Sequence, residues 1–158
     1  MSAFEGFVSL LDYPMYVVTA AAGEERAGCL VGFASQCSLD PPRFAVWISK
    51  ANRTYRVARN AGHLAVHLLP PRHELAELFG GRTGDEVDKF AAVRWRPGPG
   101  GAPVLADAPA WFAGRIADHA DWGDHVGFLL LPEEGEVRSR DVPLFFRDVA
   151  DIEAGHPA

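Results

Sequence analysis

Short apolar runs separated by turn-forming residues occupy most of this chain. Met15 to Ala21 is the first run and closes at the turn around Gly23. Ala27 to Ala34 follows at once, so the two predict a hairpin. Asp40-Pro41-Pro42 stops the chain, and Phe44 to Ile48 then forms a run rich in β-formers. His63 to Leu69 alternates, with Leu64, Val66 and Leu68 on one face and His63, Ala65, His67 and Leu69 on the other. Trp111 to Ala120 and Val126 to Leu131 predict two further strands around the turn Asp121-Trp122-Gly123-Asp124. Leu144 to Arg147 predicts a last one.

Helical signals are fewer. Arg53 to Ala61 has Asn52 as its cap and Gly62 just past its end. Glu74 to Phe79 puts Leu75, Leu78 and Phe79 on one face. Thr83-x-x-Glu86 reads as a capping box ahead of Val87 and Phe90. Arg96 to Pro103 is crowded with proline and glycine and predicts a loop. About five to seven strands with short helices between them predict a closed or partly closed barrel. Long helices do not alternate with the strands, which argues against a doubly wound parallel sheet.

Composition narrows the classes. The 158 residues fit one domain, and 48% apolar content argues against global disorder. A formal charge of −6 argues against a nucleic-acid binder, whose footprint is a basic patch. No apolar run approaches a membrane span, and the N-terminus lacks the pattern of a signal peptide, so the expectation is a cytoplasmic protein. Cys29 and Cys37 read as reduced thiols rather than a disulfide framework.

Three constellations carry candidate chemistry. Ser49, Lys50, Asn52, Arg53 and Thr54 combine hydroxyls, two cations and a helix start, a pattern suited to a phosphate as well as to a solvated cap. The usual nucleotide loops, Gly-x4-Gly-Lys-Ser/Thr and Gly-x-Gly-x-x-Gly, are absent from the sequence. Asp121, Asp124 and His125 crowd one turn. They read as an acid–base pair, a cofactor contact, a metal site or simply an acidic hairpin turn. His63 and His67 would share a helix face, but on a strand they lie roughly 13 Å apart, too far for one ion. No Gly-x-Ser-x-Gly elbow marks a nucleophile.

The order of these segments resembles the flavin reductase-like family, whose fold is the FMN-binding split barrel. The resemblance rests on Tyr13-Pro14, Val17-Val18-Thr19, Gly28, Ser38-Leu39-Asp40-Pro41-Pro42 and Ser49 to Thr54. It continues through Ala65 to Leu69, Asp88-Lys89-Phe90 and Gly123-Asp124-His125. It implies a mainly β domain with short helices over residues 1–158, a six-stranded Greek-key split barrel that forms a homodimer. It implies an NAD(P)H-dependent flavin reductase that passes hydride from NADH or NADPH to FMN or FAD and serves as the reductase component of a two-component monooxygenase. A non-catalytic flavin binder on the same barrel is the alternative.

The resemblance also assigns residues. Leu30, Val31, Gly32 and Phe33 lie along the isoalloxazine edge, and Ser38 belongs to the flavin-binding string. Trp47, Ile48, Ser49, Lys50, Asn52, Arg53 and Thr54 hold the ribityl chain and phosphate. Phe90 falls in a segment that covers the flavin, and His125 is the catalytic residue where the nicotinamide stacks. One departure stands out: many members carry Thr-x-Asn-Ser where this chain has Leu30-Val31-Gly32-Phe33. The ring edge is therefore left mainly to backbone groups.

Overall fold

The computed structural model describes residues 2–81 and 88–152; the capping box at Thr83–Glu86 and Val87 lies outside the described residues. In chain order the elements are α1 (Ala3–Ser9), β1 (Tyr16–Ala22), β2 (Glu25–Val31), β3 (Ala34–Ser38), β4 (Arg43–Ser49), α2 (Arg53–Ala58) and β5 (His63–Leu68). They continue with α3 (Glu74–Gly80), β6 (Trp95–Pro97), β7 (Pro103–Leu105), β8 (Ala110–Asp121), β9 (His125–Val137) and α4 (Phe146–Val149). Seven strands form one antiparallel sheet in the order β2-β1-β5-β8-β9-β4-β3, and β6 pairs with β7 apart from it.

The sheet has seven strands, not six, because the run expected at Ala27 to Ala34 is divided. β2 stops at Val31, and β3 begins at Ala34 on the opposite edge of the sheet. Only Gly32 and Phe33 join the two edges, and so short a link reaches about 11 Å at most. The sheet must therefore curl until its edges meet there. The Trp47 N–H donates to the Phe33 carbonyl at 2.8 Å and pins the junction. Elsewhere β2 pairs only with β1, so the barrel stays split along the outer side of β2. The structure thus shows a mainly β split barrel with short helices.

Both faces of the curled sheet are covered. Val18, Ala20, Cys29, Val46, Ile48, Leu64, Val66, Phe128 and Leu130 fill the interior, closed at one end by Val57 and Ala58 of α2. Met15, Val17, Leu69, Leu75, Phe79, Phe90, Leu105 and Leu144 form a second core on the outer face. β1 is buried on both sides, which explains why its apolar run does not alternate. On β5 the alternation is kept: Leu64 and Val66 point inward, while His67 points to the outer layer. There its Nδ1 donates to the Val17 carbonyl at 2.9 Å, and its Nε2 accepts from the Leu105 N–H at 3.1 Å.

Three local expectations change. The Leu144–Arg147 strand is reduced to one bridge between Pro14 and Phe145, after which Asp148 accepts from the Phe145 N–H and starts α4. The loop at Arg96–Pro103 survives only in its centre, since its flanks pair as β6 and β7 around a tight turn at Pro99–Gly101. α1 was not expected. Its Ser2–Glu5 capping box is formed, yet none of its residues is buried. No described helix is long and apolar enough to cross a membrane.

Candidate functional site

The split in the barrel opens onto a cavity of about 410 Å³. That volume falls within the range of about 300–1,000 Å³ usual for small-molecule sites. β2 contributes Cys29, Leu30 and Val31, its link to β3 contributes Gly32 and Phe33, and β4 contributes Trp47, Ile48 and Ser49. Asn52 and Arg53 come from the start of α2, Phe79 and Gly80 from the end of α3, and His125 from the start of β9. Tyr13, Met15, Lys89, Phe146 and Ile152 close the remaining wall.

The free edge of β2 is the polar rail of this cavity. An antiparallel strand turns the N–H and C=O of alternate residues to opposite sides. The Arg26 carbonyl points away from β1, where it accepts from Arg53 Nη1 at 2.7 Å. The Gly28 carbonyl points the same way and accepts from Lys89 Nζ at 3.2 Å. By the same alternation Leu30 aims its main-chain groups out of the sheet and toward the cavity. The absence of a polar side chain at Leu30 therefore leaves main-chain hydrogen-bonding groups at that wall.

Two cations, Arg53 and Lys89, line the cavity. Lys89 is buried, and its ammonium donates to the Phe79 carbonyl at 3.1 Å as well as to Gly28. Burial lowers its pKa, since the charged form loses hydration. Arg53 also reaches Glu25 at 3.5 Å. Ser49 and Asn52 are ordered by the turn that ends β4. The Ser49 hydroxyl accepts from the Ala51 N–H at 3.2 Å, and the Asn52 side chain accepts from the Thr54 N–H at 2.9 Å.

Aromatic rings line the wall beside Ser49. His125 sits opposite Ser49 in the β4–β9 ladder. Its Nδ1 lies 2.7 Å from Asp124 Oδ1, a contact that holds the Asp124 pKa below its usual value. The Phe33 ring stands 4.9 Å from the imidazole, centroid to centroid. Trp47 lies across β9 where a side chain at position 127 would strike its indole, so Gly127 is what lets it lie flat there. Trp122, in the β8–β9 turn, leans on Trp47 at 6.2 Å.

Ten of the residues expected at the site line the cavity: Leu30, Val31, Gly32, Phe33, Trp47, Ile48, Ser49, Asn52, Arg53 and His125. Four expected contacts are not on that wall. Ser38 lies at the far end of β3, on the opposite sheet edge. Lys50 turns outward to Asp121, 2.8 Å away, which raises the lysine pKa and lowers that of the aspartate. Thr54 is buried on the inner face of α2, where its side chain bonds the Cys29 thiol. Phe90 is packed between Phe79 and Trp95 in the outer core and covers nothing in the cavity; its neighbour Lys89 faces it instead.

The competing chemistries find poor geometry. Asp121 is engaged by Lys50 and Asp124 by His125, so the two carboxylates do not converge. His63 meets Glu133 near the surface while His67, four residues further along the same strand, is internal, so the two do not converge. Burial pushes the Cys29 thiol up to about 11, which keeps it protonated and a weak nucleophile. Lys89 carries the signal that the sequence reading passed over: a cation set between the capping Asp88 and a core phenylalanine.

Comparison with known proteins agrees with the fold. The Flavin reductase like domain matches residues 8–151. The chain is 31% identical over 144 residues to "FMN reductase (NADH) RutF" of Agrobacterium fabrum, covering 90% of this chain and 82% of that one. It is 34% identical over 113 residues to "Stachydrine N-demethylase reductase subunit Stc3" of Rhizobium meliloti, covering 69% of this chain and 48% of that protein. This chain spans 36%, 65% and 48% of the lengths of three curated relatives it matches. The crystal structure of a flavin reductase domain protein from Arthrobacter sp. FB24 superposes with a TM-score of 0.82 over 98% of this chain and 94% of that one, at 22% identity. With nearly the whole chain matched, this protein belongs to the flavin reductase-like domain family.

Proposed function

We propose that the chain is an NAD(P)H-dependent flavin reductase that holds FMN or FAD along the free edge of β2. The observation that carries this reading is the mixed chemistry of one cavity. Aromatic and aliphatic residues share its wall with the cations Arg53 and Lys89, and the main chain of β2 runs along it. A flavin needs the same set of partners: apolar cover for a flat ring, main-chain groups for its polar edge and cations for an anionic tail. The donor set fits that group without the polar side chains that Leu30, Gly32 and Phe33 lack.

When bound, the flavin supplies the hydride acceptor and carries the redox chemistry. The protein's part is placement. Main-chain groups at Leu30 fix the ring edge, and Gly32 holds the link close to Tyr13 and Met15. Arg53, Lys89, Ser49 and Asn52 hold the anionic tail through charge-assisted and neutral hydrogen bonds. Met15, Ile48 and Phe79 exclude water from the apolar wall. His125, with its Nδ1 tied to Asp124, orients the nicotinamide over the ring end. Bringing two rings into register is the main catalytic task, and no protein nucleophile is needed.

Three wider statements go with this reading. The chain acts as a homodimer, a reading supported by Phe4, Phe7 and Leu10 of the N-terminal segment, which stand exposed among the described residues. It supplies reduced flavin to a monooxygenase, as the similarity to a demethylase reductase subunit suggests. It works in the cytoplasm.

The assay is flavin-dependent loss of absorbance at 340 nm with NADH or NADPH. Turnover with FMN or FAD is the expected result, and none with either flavin and either nicotinamide refutes the reading. A second reading, a flavin binder without turnover, is favoured by the lack of polar side chains at Leu30, Gly32 and Phe33. A yellow protein inert toward both nicotinamides would establish it. Light scattering tests the dimer, and a monomer at micromolar concentration would remove it.

A further inference from the structure

Phe33 is 54% exposed although it lines the cavity. Bare aromatic surface at the mouth of a cavity is unfavourable unless something flat covers it. The ring is not loose. Its own carbonyl accepts from the Trp47 N–H at 2.8 Å, and β3 starts at the next residue. Gly32 before it is wedged against Tyr13 and Met15, so that a Cβ there would lie 2.8 Å from the Tyr13 ring. From this fixed base the phenyl group leans on His125, with 4.9 Å between centroids and 51° between planes. His125 is fixed in turn by Asp124 and by the ladder to β4. Two braced rings at an angle make a wall, not a lid, and half of the phenyl group faces solvent.

The flavin reading sets that ring's polar edge against the main-chain rail of β2, so the ring that is left to stack on the outward-facing phenyl group is that of the second substrate. The geometry points to Phe33 as the residue that sets affinity for the nicotinamide ring of the electron donor, which stacks on the bare phenyl face beside His125. This inference rests on the flavin reductase reading above.

The test uses the full chain with flavin added, comparing wild type with Phe33→Ala and Phe33→Tyr. Donors are NADH and reduced nicotinamide mononucleotide, which keeps the ring and lacks the adenylate. Losing one stacked aromatic contact raises KM for both donors by about fivefold to tenfold. The larger change falls on KM rather than kcat, and Phe33→Tyr restores most of the affinity. Calorimetric titration of the flavin-loaded proteins with NAD⁺ shows the same loss without turnover, while FMN binding, read from fluorescence quenching, changes less. An unchanged or lowered KM, a loss confined to the dinucleotide, or an FMN loss as large as the KM rise overturns the assignment. A wild-type protein inert with every nicotinamide defeats the underlying reading instead.

Discussion

Acidification should destabilise this fold through one internal histidine. His67 is fully buried, and its pKa falls from 6.5 to about 4 because burial penalises the imidazolium. The folded chain therefore keeps His67 neutral down to about pH 4, while the unfolded chain takes up a proton near pH 6.5. Between those values the unfolded state binds more protons, so stability falls as pH falls. The contribution is whole above pH 6.5 and exhausted below about pH 4. At about 1.4 kcal/mol per pH unit, the full loss is about 3 kcal/mol, of which about 2 kcal/mol is gone by pH 5. Urea unfolding followed by tryptophan fluorescence at steps from pH 7 to pH 5 measures it. Carboxylates also begin to titrate in that range, so His67→Gln serves as the reference. Glutamine keeps a donor and an acceptor but does not ionise. The variant should be less stable at pH 7 by about 1–3 kcal/mol, yet lose correspondingly less on acidification. Equal pH slopes in the two proteins would show that His67 does not carry the effect.

Other outcomes follow from the same geometry. Arg53→Ala should weaken FMN binding by about 1 kcal/mol or more, whereas Lys50→Ala should change it by less than about half that, because Lys50 faces Asp121 outside the cavity. Fluorescence titration distinguishes them, and equal losses would move the anionic end of the site. Native protein should expose one reactive thiol to a chromogenic disulfide reagent, Cys37, while Cys29 reacts only after unfolding. Prompt reaction of both would contradict the burial of β2. Gly32→Val should lower thermal stability, since its Cβ would meet the Tyr13 ring at 2.8 Å, and overpacking of this kind costs about 1–3 kcal/mol. An unchanged Tm would mean that Tyr13 moves aside freely. His125→Ala should slow hydride transfer more than it weakens flavin binding, and stopped-flow rates against flavin titrations give the comparison.

Much of the strand content was legible because short runs of Val, Ile and Ala between turn residues admit few other structures. What the pattern could not show was the change of strand at Gly32–Phe33. Both sides of that link are apolar or small, and periodicity does not say which neighbour a strand pairs with. α1 did leave a signal, Ser2-x-x-Glu5 with Phe4, Phe7, Val8 and Leu11 at helical spacing, but the stretch is short and none of its helical residues is buried. The site divides in the same way. Leu30–Phe33, Trp47, Ile48, Ser49, Asn52, Arg53 and His125 could be named from the sequence because they fall in contiguous or motif-like stretches, and they line the cavity. Tyr13, Met15, Phe79, Phe146 and Ile152 were not, because each comes singly from a distant segment and looks like any other core residue. Lys89 was lost to its neighbour: a phenylalanine beside a ligand is the more familiar contact, yet packing turned Phe90 inward and left the cation on the wall.

Placing the cavity at the split follows from the backbone. An unpaired strand edge is a liability, since its N–H and C=O groups invite another chain. Here Arg53 and Lys89 occupy two carbonyls of that edge, Arg26 and Gly28, and the pinch at Phe33 closes its far end. The part left between them is where Leu30 presents its main chain to the cavity. On the flavin reading proposed above, a ligand there would complete the edge, as another strand would, and take its specificity from fixed peptide groups rather than from side chains. That accounts for how this chain can replace polar residues at Leu30, Gly32 and Phe33 and still keep a polar rail. Substitution of proline at position 30 would remove the rail's N–H while keeping an apolar residue in place. If the reasoning is sound, Leu30→Pro should cost far more flavin affinity than Leu30→Ala, with the fold of each variant checked by circular dichroism. Equal affinity in two folded variants would place the ring's polar contacts elsewhere on the wall.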